Sequence, residues 1–210
     1  MRVLIIGASS GIGLEATRQA LGAGYQVRAL ARSADRMAIS DRNLEKVPGD
    51  ALRPEDVKAA LVDVDVAIQT LGVGLRALLR PVHLFSRSTK VLIAAMKAQG
   101  VNRLISVTGF GAGDSQSRIG CLQRAPFLLV LGRAYDDKSV QERLIKQSGL
   151  DWTIARPGVL TSGPPTGRYR VLRDESEWRN GVISRADVAG FLVRQIVDRE
   201  CIRQAPVLVN

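Results

Sequence analysis

Hydrophobic and polar positions divide the chain into two kinds of segment that alternate. Short apolar runs typical of strands are followed by segments whose apolar residues recur at helical spacing. The predicted strands are residues 3–6, 25–31, 44–47, 64–70, 103–108 and 152–156. The predicted helices are residues 14–21, 54–61, 81–99 and 136–147. This alternation predicts an α/β fold.

The C-terminal part adds short predicted strands at residues 169–172 and 207–209 and a helix at 185–197. Because connections between parallel strands are right-handed, this order predicts a Rossmann-type, doubly wound parallel sheet with helices on both faces. The length of 210 residues fits one domain, 1–210, with a small C-terminal portion on the substrate side.

The composition disfavours several classes of protein, including disordered, disulfide-rich and membrane proteins. Hydrophobic residues make up 46% and charged residues 24%, which is typical of a folded globular protein. Cys121 and Cys201 lie far apart and match no metal-ligand spacing, so we expect neither a disulfide framework nor a metal site. The sequence shows neither a signal-peptide pattern nor about 18 consecutive apolar residues, so we expect a soluble cytoplasmic protein without a membrane partner.

The chain is strongly basic, with a formal net charge of +10. A basic protein can bind polyanions such as nucleic acid. Here the positive residues are scattered and form no run of about five, which favours a solvated basic surface over nucleic-acid binding.

A glycine-rich turn lies between the first predicted strand and the first helix. Glycine permits a sharp bend and a close approach to phosphate, and the helix N-terminus adds unpaired N–H groups and a positive dipole end. At this place the turn predicts a dinucleotide pyrophosphate site rather than a purely structural turn. The predicted cofactor contacts in it are Gly7, Ala8, Ser9, Ser10, Gly11, Ile12 and Gly13.

Arg32 and Ser33 follow the second predicted strand, where an NAD-preferring site would carry a carboxylate about 20 residues beyond the turn. A guanidinium can hold the 2′-phosphate of NADP through two hydrogen bonds. These residues therefore predict a preference for NADP(H) over NAD(H). The alternative is a solvated surface arginine, which similar affinities for the two cofactors would support.

Further contacts are predicted at other strand ends, because ligands of such sheets bind at the carboxyl ends of the strands. Asp50 either accepts a hydrogen bond from the adenine amino group or caps the helix that starts near Pro54. Gly72 and Gly74 either allow close approach of the backbone to the cofactor or simply make a turn. The predicted contacts in this group are Asp50, Ala51, Leu52, Leu71, Gly72, Val73, Thr108, Lys138 and Pro157.

Two other features leave alternatives open. His83, the single histidine, has no carboxylate partner nearby in the sequence and is predicted to be structural or solvated. The segment 110–134 is long for a connection and contains the apolar run 126–131. Such a segment is a lid, a subunit contact or a buried helix.

Several segments resemble the atypical, NAD(P)H-binding branch of the short-chain dehydrogenase superfamily, which includes NmrA-like proteins and the biliverdin-IXβ/flavin reductases. They are GASSGIG, ALARS, VPGDA, LIAAMKAQGVNRLISVT, SGLDWTIARPG, and PPTGRYRV followed by VISRADVAGFLV. The resemblance covers nearly the whole chain. It implies an NADPH-dependent reductase of a flavin or similar planar acceptor, or a non-catalytic NADP(H) sensor with a protein partner.

The chain departs from the catalytic residues of these families. The usual Tyr-x-x-x-Lys pair is missing, although Tyr135 and Lys138 are three residues apart and share a helix face. The resemblance implies that Lys138 contacts the nicotinamide ribose, and the alternative is a solvated lysine. Thr108, the nearest hydroxyl at a central strand end, is predicted to contact substrate or nicotinamide, or simply to end the strand. Thr108 and Lys138 are the predicted catalytic residues.

Two differences from the family disfavour particular reactions. The histidine that follows the strand-ending proline in biliverdin/flavin reductases is absent, because Pro157 is followed by Gly158 and Val159. The missing histidine disfavours biliverdin reduction, and the missing Tyr-x-x-x-Lys pair disfavours nucleotide-sugar epimerisation. Flavin reduction is affected less, because nicotinamide and flavin carry the chemistry and the protein supplies alignment.

Overall fold

The computed structural model describes residues 1–74, 82–118 and 121–210, and only the backbone of residues 121–131. The strands in this part are β1 (Arg2–Ile6), β2 (Gln26–Ala31), β3 (Leu44–Pro48), β4 (Val66–Gln69), β5 (Arg103–Val107), β6 (Asp151–Pro157), β7 (Val159–Thr161), β8 (Arg170–Leu172), β9 (Val182–Ser184) and β10 (Val207–Val209). The α-helices are α1 (Gly11–Gly22), α2 (Pro54–Ala60), α3 (Leu84–Gln99), α4 (Cys121–Lys146) and α5 (Arg185–Arg194).

The main sheet has eight strands in the order β3-β2-β1-β4-β5-β6-β10-β8. All neighbouring pairs are parallel except β10 and β8, which are antiparallel. The strands β7 and β9 form a separate parallel pair. Strand order reverses on the two sides of β1, which places the switch point at the glycine-rich turn and confirms the predicted Rossmann-type fold.

Both faces of the central strands are buried, as their continuous apolar runs predict. In β1, Val3 and Ile5 join one hydrophobic cluster with residues of α1 and α5. Leu4 and Ile6 point the other way and join a second cluster with residues of α2, α3 and α4. This alternation follows from the two-residue period of a strand. The two clusters hold the carboxyl ends of the strands in fixed positions.

Most predicted elements are observed, with boundaries that differ by a few residues. Pro54 opens α2 and Gly100 ends α3 with a φ of 71°, as predicted. The start of the third predicted helix, residue 81, lies outside the described residues. His83 is exposed directly before α3, in agreement with the prediction.

The structure corrects the prediction for the segment 110–134. A 3-10 turn occupies Gly113–Arg118, and the backbone is helical from residue 121 onward, so α4 begins well before the predicted start at residue 136. The helical backbone is observed, whereas the side chains of 121–131 lie outside the described part, so the alternatives of a lid, a subunit contact and a buried helix stay predictions. Pro126 and Gly132 are poor helix formers, which explains why the sequence pattern did not reveal this extension.

The short strands β7 and β9, of three residues each, were not predicted. Cys201 is a free, buried thiol, whereas the side chain of Cys121 lies outside the described part. The portion of the chain that the structure describes contains no helix long and apolar enough to cross a membrane. Nor do its side chains form a cluster of potential metal ligands.

Candidate functional site

The glycine-rich turn is built so that α1 starts close to the end of β1. Gly7 has a φ of 85°, and a Cβ atom there would lie 3.0 Å from the carbonyl oxygen of Thr70. A Cβ atom at Gly13 would lie only 2.2 Å from the carbonyl oxygen of Gly7. Both positions therefore require glycine, and the tight packing of helix on strand has the form that a Rossmann phosphate turn needs.

The N-terminus of α1 is open to an anionic ligand. The side chain of Ser10, which precedes the helix, makes no capping hydrogen bond, and the first turn of α1 carries no acidic residue. Ser10 and Gly11 are exposed. Unpaired N–H groups and the positive end of the helix dipole at such a terminus favour phosphate. The turn therefore fits the pyrophosphate of a dinucleotide.

Arg32 lies at the carboxyl end of β2, directly beside this turn in the sheet order. Its side chain is exposed, and no hydrogen bond or ion pair links it to another residue in the described ranges. Ser33 next to it is half-buried and leads into the short 3-10 turn Ala34–Arg36. The guanidinium is thus available to a ligand at the place where the sequence predicts the 2′-phosphate.

Asp50 stabilises its own turn rather than the following helix. Its carboxylate accepts a hydrogen bond from the backbone N–H of Leu52 at 2.9 Å, and its backbone N–H donates to the Asp56 carboxylate at 2.8 Å. The residue that precedes α2 is Arg53. The alternative that Asp50 caps α2 is therefore wrong. The carboxylate keeps further lone pairs, so the predicted adenine contact stays a prediction.

The loop after β4 borders the same edge of the sheet. Leu71 and Val73 are half-buried and pack against the cluster that contains Phe85. Gly72 is exposed, and apart from its chain neighbours a Cβ atom there would meet no described heavy atom within 4 Å. Packing among the described residues therefore does not require glycine at 72. The close approach of this backbone to the cofactor stays a prediction.

Lys138 is held in an aromatic cage at the end of β5. Its Nζ donates a hydrogen bond to the backbone carbonyl of Thr108 at 2.5 Å and lies 5.1 Å from the ring centres of both Phe85 and Tyr135. Burial lowers the pKa of Lys138 to about 8, an effect that the charge of Glu142 partly offsets. The alternative of a solvated lysine is therefore wrong.

Tyr135 and Lys138 meet in space, as their helical spacing predicts. A Cβ atom at Gly109 would lie 2.6 Å from the Tyr135 hydroxyl, so this hydroxyl lies against the residue that follows Thr108. Burial raises the pKa of Tyr135, which keeps the phenol protonated. The lysine and the phenol therefore stand together at the carboxyl end of β5.

Asp137 holds the first turn of α3, which carries Phe85, one of the two aromatic rings beside Lys138. Its buried carboxylate accepts hydrogen bonds from the backbone N–H groups of Phe85 at 2.8 Å and Ser86 at 3.2 Å. These groups belong to the first turn of α3, so α4 supplies the cap for a neighbouring helix. This contact fixes the Phe85 ring beside Lys138, and no local sequence signal could have shown it.

Thr108 points toward a buried ion pair. Its hydroxyl donates a hydrogen bond to the Glu142 carboxylate at 2.7 Å, and the residue is only 2% exposed. Glu142 in turn receives two hydrogen bonds from the Arg156 guanidinium, at 2.9 and 2.5 Å. Because the Thr108 proton is engaged by a carboxylate, this hydroxyl can only accept a hydrogen bond from a ligand.

The sequence analysis missed Glu142 and Arg156. Both are essentially buried, and the Arg156 guanidinium lies 4.7 Å from the ring centre of Trp178. A Cβ atom at Gly113, whose φ is 54°, would lie 2.2 Å from the Glu142 carboxylate. The sequence did show an arginine, Arg156, near the end of the apolar strand β6, which indicates a buried charge. A single sequence does not show that Glu142 is its partner.

Pro157 ends β6, and its carbonyl accepts a hydrogen bond from the N–H of Phe110 at 2.9 Å. The next residue, Gly158, is required by packing, because a Cβ atom there would lie 2.2 Å from the Gly181 carbonyl oxygen. The predicted Pro157 contact therefore borders the same edge as Thr108.

Comparisons with known proteins show the family to which this chain belongs. A family model described as NAD(P)H-binding matches residues 7–199. The chain is 28% identical over 215 residues to the photosystem II assembly factor Ycf39 of Cyanophora paradoxa, covering 95% of this chain and 60% of that protein. It is 28% identical over 213 residues to the uncharacterized sugar epimerase YhfK of Bacillus subtilis, covering 95% and 89%.

Among solved structures, the ChuY anaerobillin reductase from Escherichia coli O157:H7 superposes with a TM-score of 0.82 and 26% identity, covering 100% of this chain and 97% of that chain. Ycf39 is the longer protein, so this chain spans only part of it. The predicted NAD(P)H-binding character of the chain is confirmed. The chain belongs to the NAD(P)H-binding family of Rossmann-type proteins.

Proposed function

We propose that this protein is an NADPH-dependent reductase that transfers hydride to a flavin or a similar planar acceptor. The observation that carries the proposal is the convergence of three groups at one edge of the sheet. These are the open N-terminus of α1, Arg32, which pairs with none of the described residues, and the cage of Lys138 at the end of β5. Ligands of this fold bind at that edge.

The preference for NADPH rests on Arg32. A charge-assisted, bidentate contact to the 2′-phosphate stabilises NADPH and offers nothing to NADH, which lacks that phosphate. Asp35 is the nearest acidic residue in the sequence, and it forms no ion pair with Arg32 among the described residues. Among the described residues, no carboxylate of the same loop therefore competes with the 2′-phosphate for this guanidinium.

The bound nicotinamide would supply the hydride. Lys138 would bind the nicotinamide ribose hydroxyls, since its ammonium already donates to the Thr108 carbonyl at the end of β5. Thr108 can orient a ligand only as an acceptor, because its own proton is bound to Glu142. This arrangement favours an acceptor such as flavin, whose reduction depends on alignment with nicotinamide rather than on a strong protein acid.

The similarity to ChuY, which is named as a reductase, supports this class of reaction. A second candidate is a non-catalytic NADP(H) sensor that acts on a protein partner. The similarity to Ycf39, which is named as an assembly factor, favours it, as does the engagement of the Thr108 hydroxyl with a buried pair. Catalytic oxidation of NADPH by an added acceptor distinguishes the reductase from the sensor.

The test is a fluorescence titration with NADPH and NADH, followed by NADPH oxidation with FMN and with a quinone. Arg32→Ala should weaken NADPH binding by about 10- to 100-fold and leave NADH binding unchanged, because one charge-assisted phosphate contact is lost. Arg42→Ala, which removes an exposed arginine before β3 at the opposite edge of the sheet, is the matched control.

Oxidation of NADPH with either acceptor would support the reductase. Tight NADPH binding without turnover would favour the sensor. Equal affinities for NADPH and NADH in the wild type would contradict the assigned role of Arg32.

A further inference from the structure

Arg185 lies across the crevice from the phosphate turn, although the two are far apart in the chain. It is the first residue of α5, and its Cδ is 3.9 Å from the position that a Cβ atom of Gly11 would occupy. Apart from its chain neighbours and the backbone of α1 itself, no other described heavy atom comes within 4 Å of that position. Arg185 is therefore the side chain that faces the first residue of α1.

The distance between these two helices is fixed by their packing. The side-chain amide of Gln19 on α1 donates a hydrogen bond to the Ala186 carbonyl on α5 at 2.9 Å. Gly190 allows the close approach, since a Cβ atom there would lie 3.1 Å from the Gln19 side-chain oxygen. Arg185 is thus carried on a rigid element at a set distance from the turn.

The start of α5 is itself well anchored. The Ser184 hydroxyl caps it by accepting a hydrogen bond from the Asp187 N–H at 2.9 Å. The Asp187 carboxylate accepts hydrogen bonds from the N–H groups of Thr166 at 2.8 Å and Gly167 at 2.9 Å. The nearest carboxylate on α5 is therefore engaged by neutral donors rather than by Arg185.

The Arg185 guanidinium is only partly used by the protein. One Nη donates to the Thr161 carbonyl at 3.0 Å and lies 3.4 Å from the Ser162 hydroxyl. Within the described ranges its other nitrogens make no hydrogen bond, and no carboxylate pairs with it. A guanidinium with unused donors beside an open helix N-terminus is well suited to phosphate.

We propose that Arg185 binds the pyrophosphate of the dinucleotide from the side opposite the N-terminus of α1. The pyrophosphate, rather than the 2′-phosphate, is assigned because Arg185 faces Gly11 at the head of α1, whereas Arg32 stands at the end of β2. The inference rests on the proposed cofactor site and not on the identity of the acceptor.

The roles proposed for Arg185 and Arg32 can be distinguished by comparing the affinities for NADPH and NADH. Both NADPH and NADH contain the pyrophosphate, so Arg185→Ala should weaken both by a similar factor of about 10 to 100. Arg32→Ala should weaken NADPH alone. Arg185→Lys keeps the charge but not the planar guanidinium, so it should bind both cofactors more weakly than the wild type and more tightly than Arg185→Ala.

The experiment is a titration of the wild type, these variants, Arg185→Gln and the control Arg42→Ala with NADPH and NADH. Arg185→Gln removes the charge but keeps a polar side chain with an N–H donor, so it tests the charge should Arg185→Ala fail to fold. Equal weakening of both cofactors in Arg185→Gln supports the proposal. Unchanged binding, or loss of NADPH binding alone, overturns it. Absence of flavin or quinone turnover bears only on the proposed reductase.

Discussion

The first prediction concerns the contribution of the buried ion pair Glu142–Arg156 to the free energy of unfolding. Arg156 is 0% exposed and Glu142 1%, and two hydrogen bonds join them at 2.9 and 2.5 Å. Arg156→Met removes the cation and leaves a carboxylate in the interior whose one remaining donor among the described residues is the Thr108 hydroxyl. Breaking a buried pair in this way costs about 3–5 kcal/mol.

The double variant Glu142→Leu with Arg156→Met should be more stable than Arg156→Met alone. Replacing a whole buried pair by apolar side chains is often neutral, because the desolvation of both charges is also removed. The Thr108 hydroxyl then lacks its acceptor, which costs about 1–3 kcal/mol. We therefore expect the double variant to lose about 1–3 kcal/mol relative to the wild type.

Urea unfolding followed by circular dichroism and tryptophan fluorescence measures these differences. Trp178 is a suitable reporter, because its ring lies over the Arg156 guanidinium. The exposed pair of Arg53 and Glu55, whose atoms lie 2.9 Å apart, is the matched control. Arg53→Met should change the free energy of unfolding by less than about 1 kcal/mol. A loss below about 1 kcal/mol for Arg156→Met, or a double variant less stable than Arg156→Met, would refute the reasoning.

Two further predictions concern the phosphate turn and the lysine cage. Gly13→Ala should destabilise the fold by about 1–3 kcal/mol and weaken NADPH binding, because its Cβ would lie 2.2 Å from the Gly7 carbonyl oxygen. Gly22→Ala on the same helix, with nothing within 4 Å, should change stability by less than about 1 kcal/mol, and similar losses in both variants would contradict this assignment. NADPH affinity should fall as the pH rises through about 8, because burial lowers the pKa of Lys138 to about 8 and the ammonium is lost above it. Titrations across this range should show no such fall in Lys138→Arg, whose guanidinium stays protonated; an identical pH profile in both proteins would rule out Lys138 as the titrating group.

The sequence alone determined the features that depend on local patterns. Continuous apolar runs predicted strands buried on both faces, and helical spacing placed α1, α2 and α3 within a few residues of their observed bounds. The turn from Gly7 to Gly13 was recognisable because close packing of helix on strand admits only glycine at both ends. The spacing of Tyr135 and Lys138 correctly predicted a shared helix face.

The tertiary structure decided the contacts between residues that are distant in the chain. Sheet order and helix packing bring Glu142 to Arg156, Asp137 to the start of α3, and Arg185 to Gly11. Each of these residues is polar, so hydrophobic periodicity contains no information about its partner. The role of Asp50 likewise depended on which N–H groups its carboxylate meets in the folded turn. Buried polar groups must find partners, but only the folded chain determines which partners lie within reach.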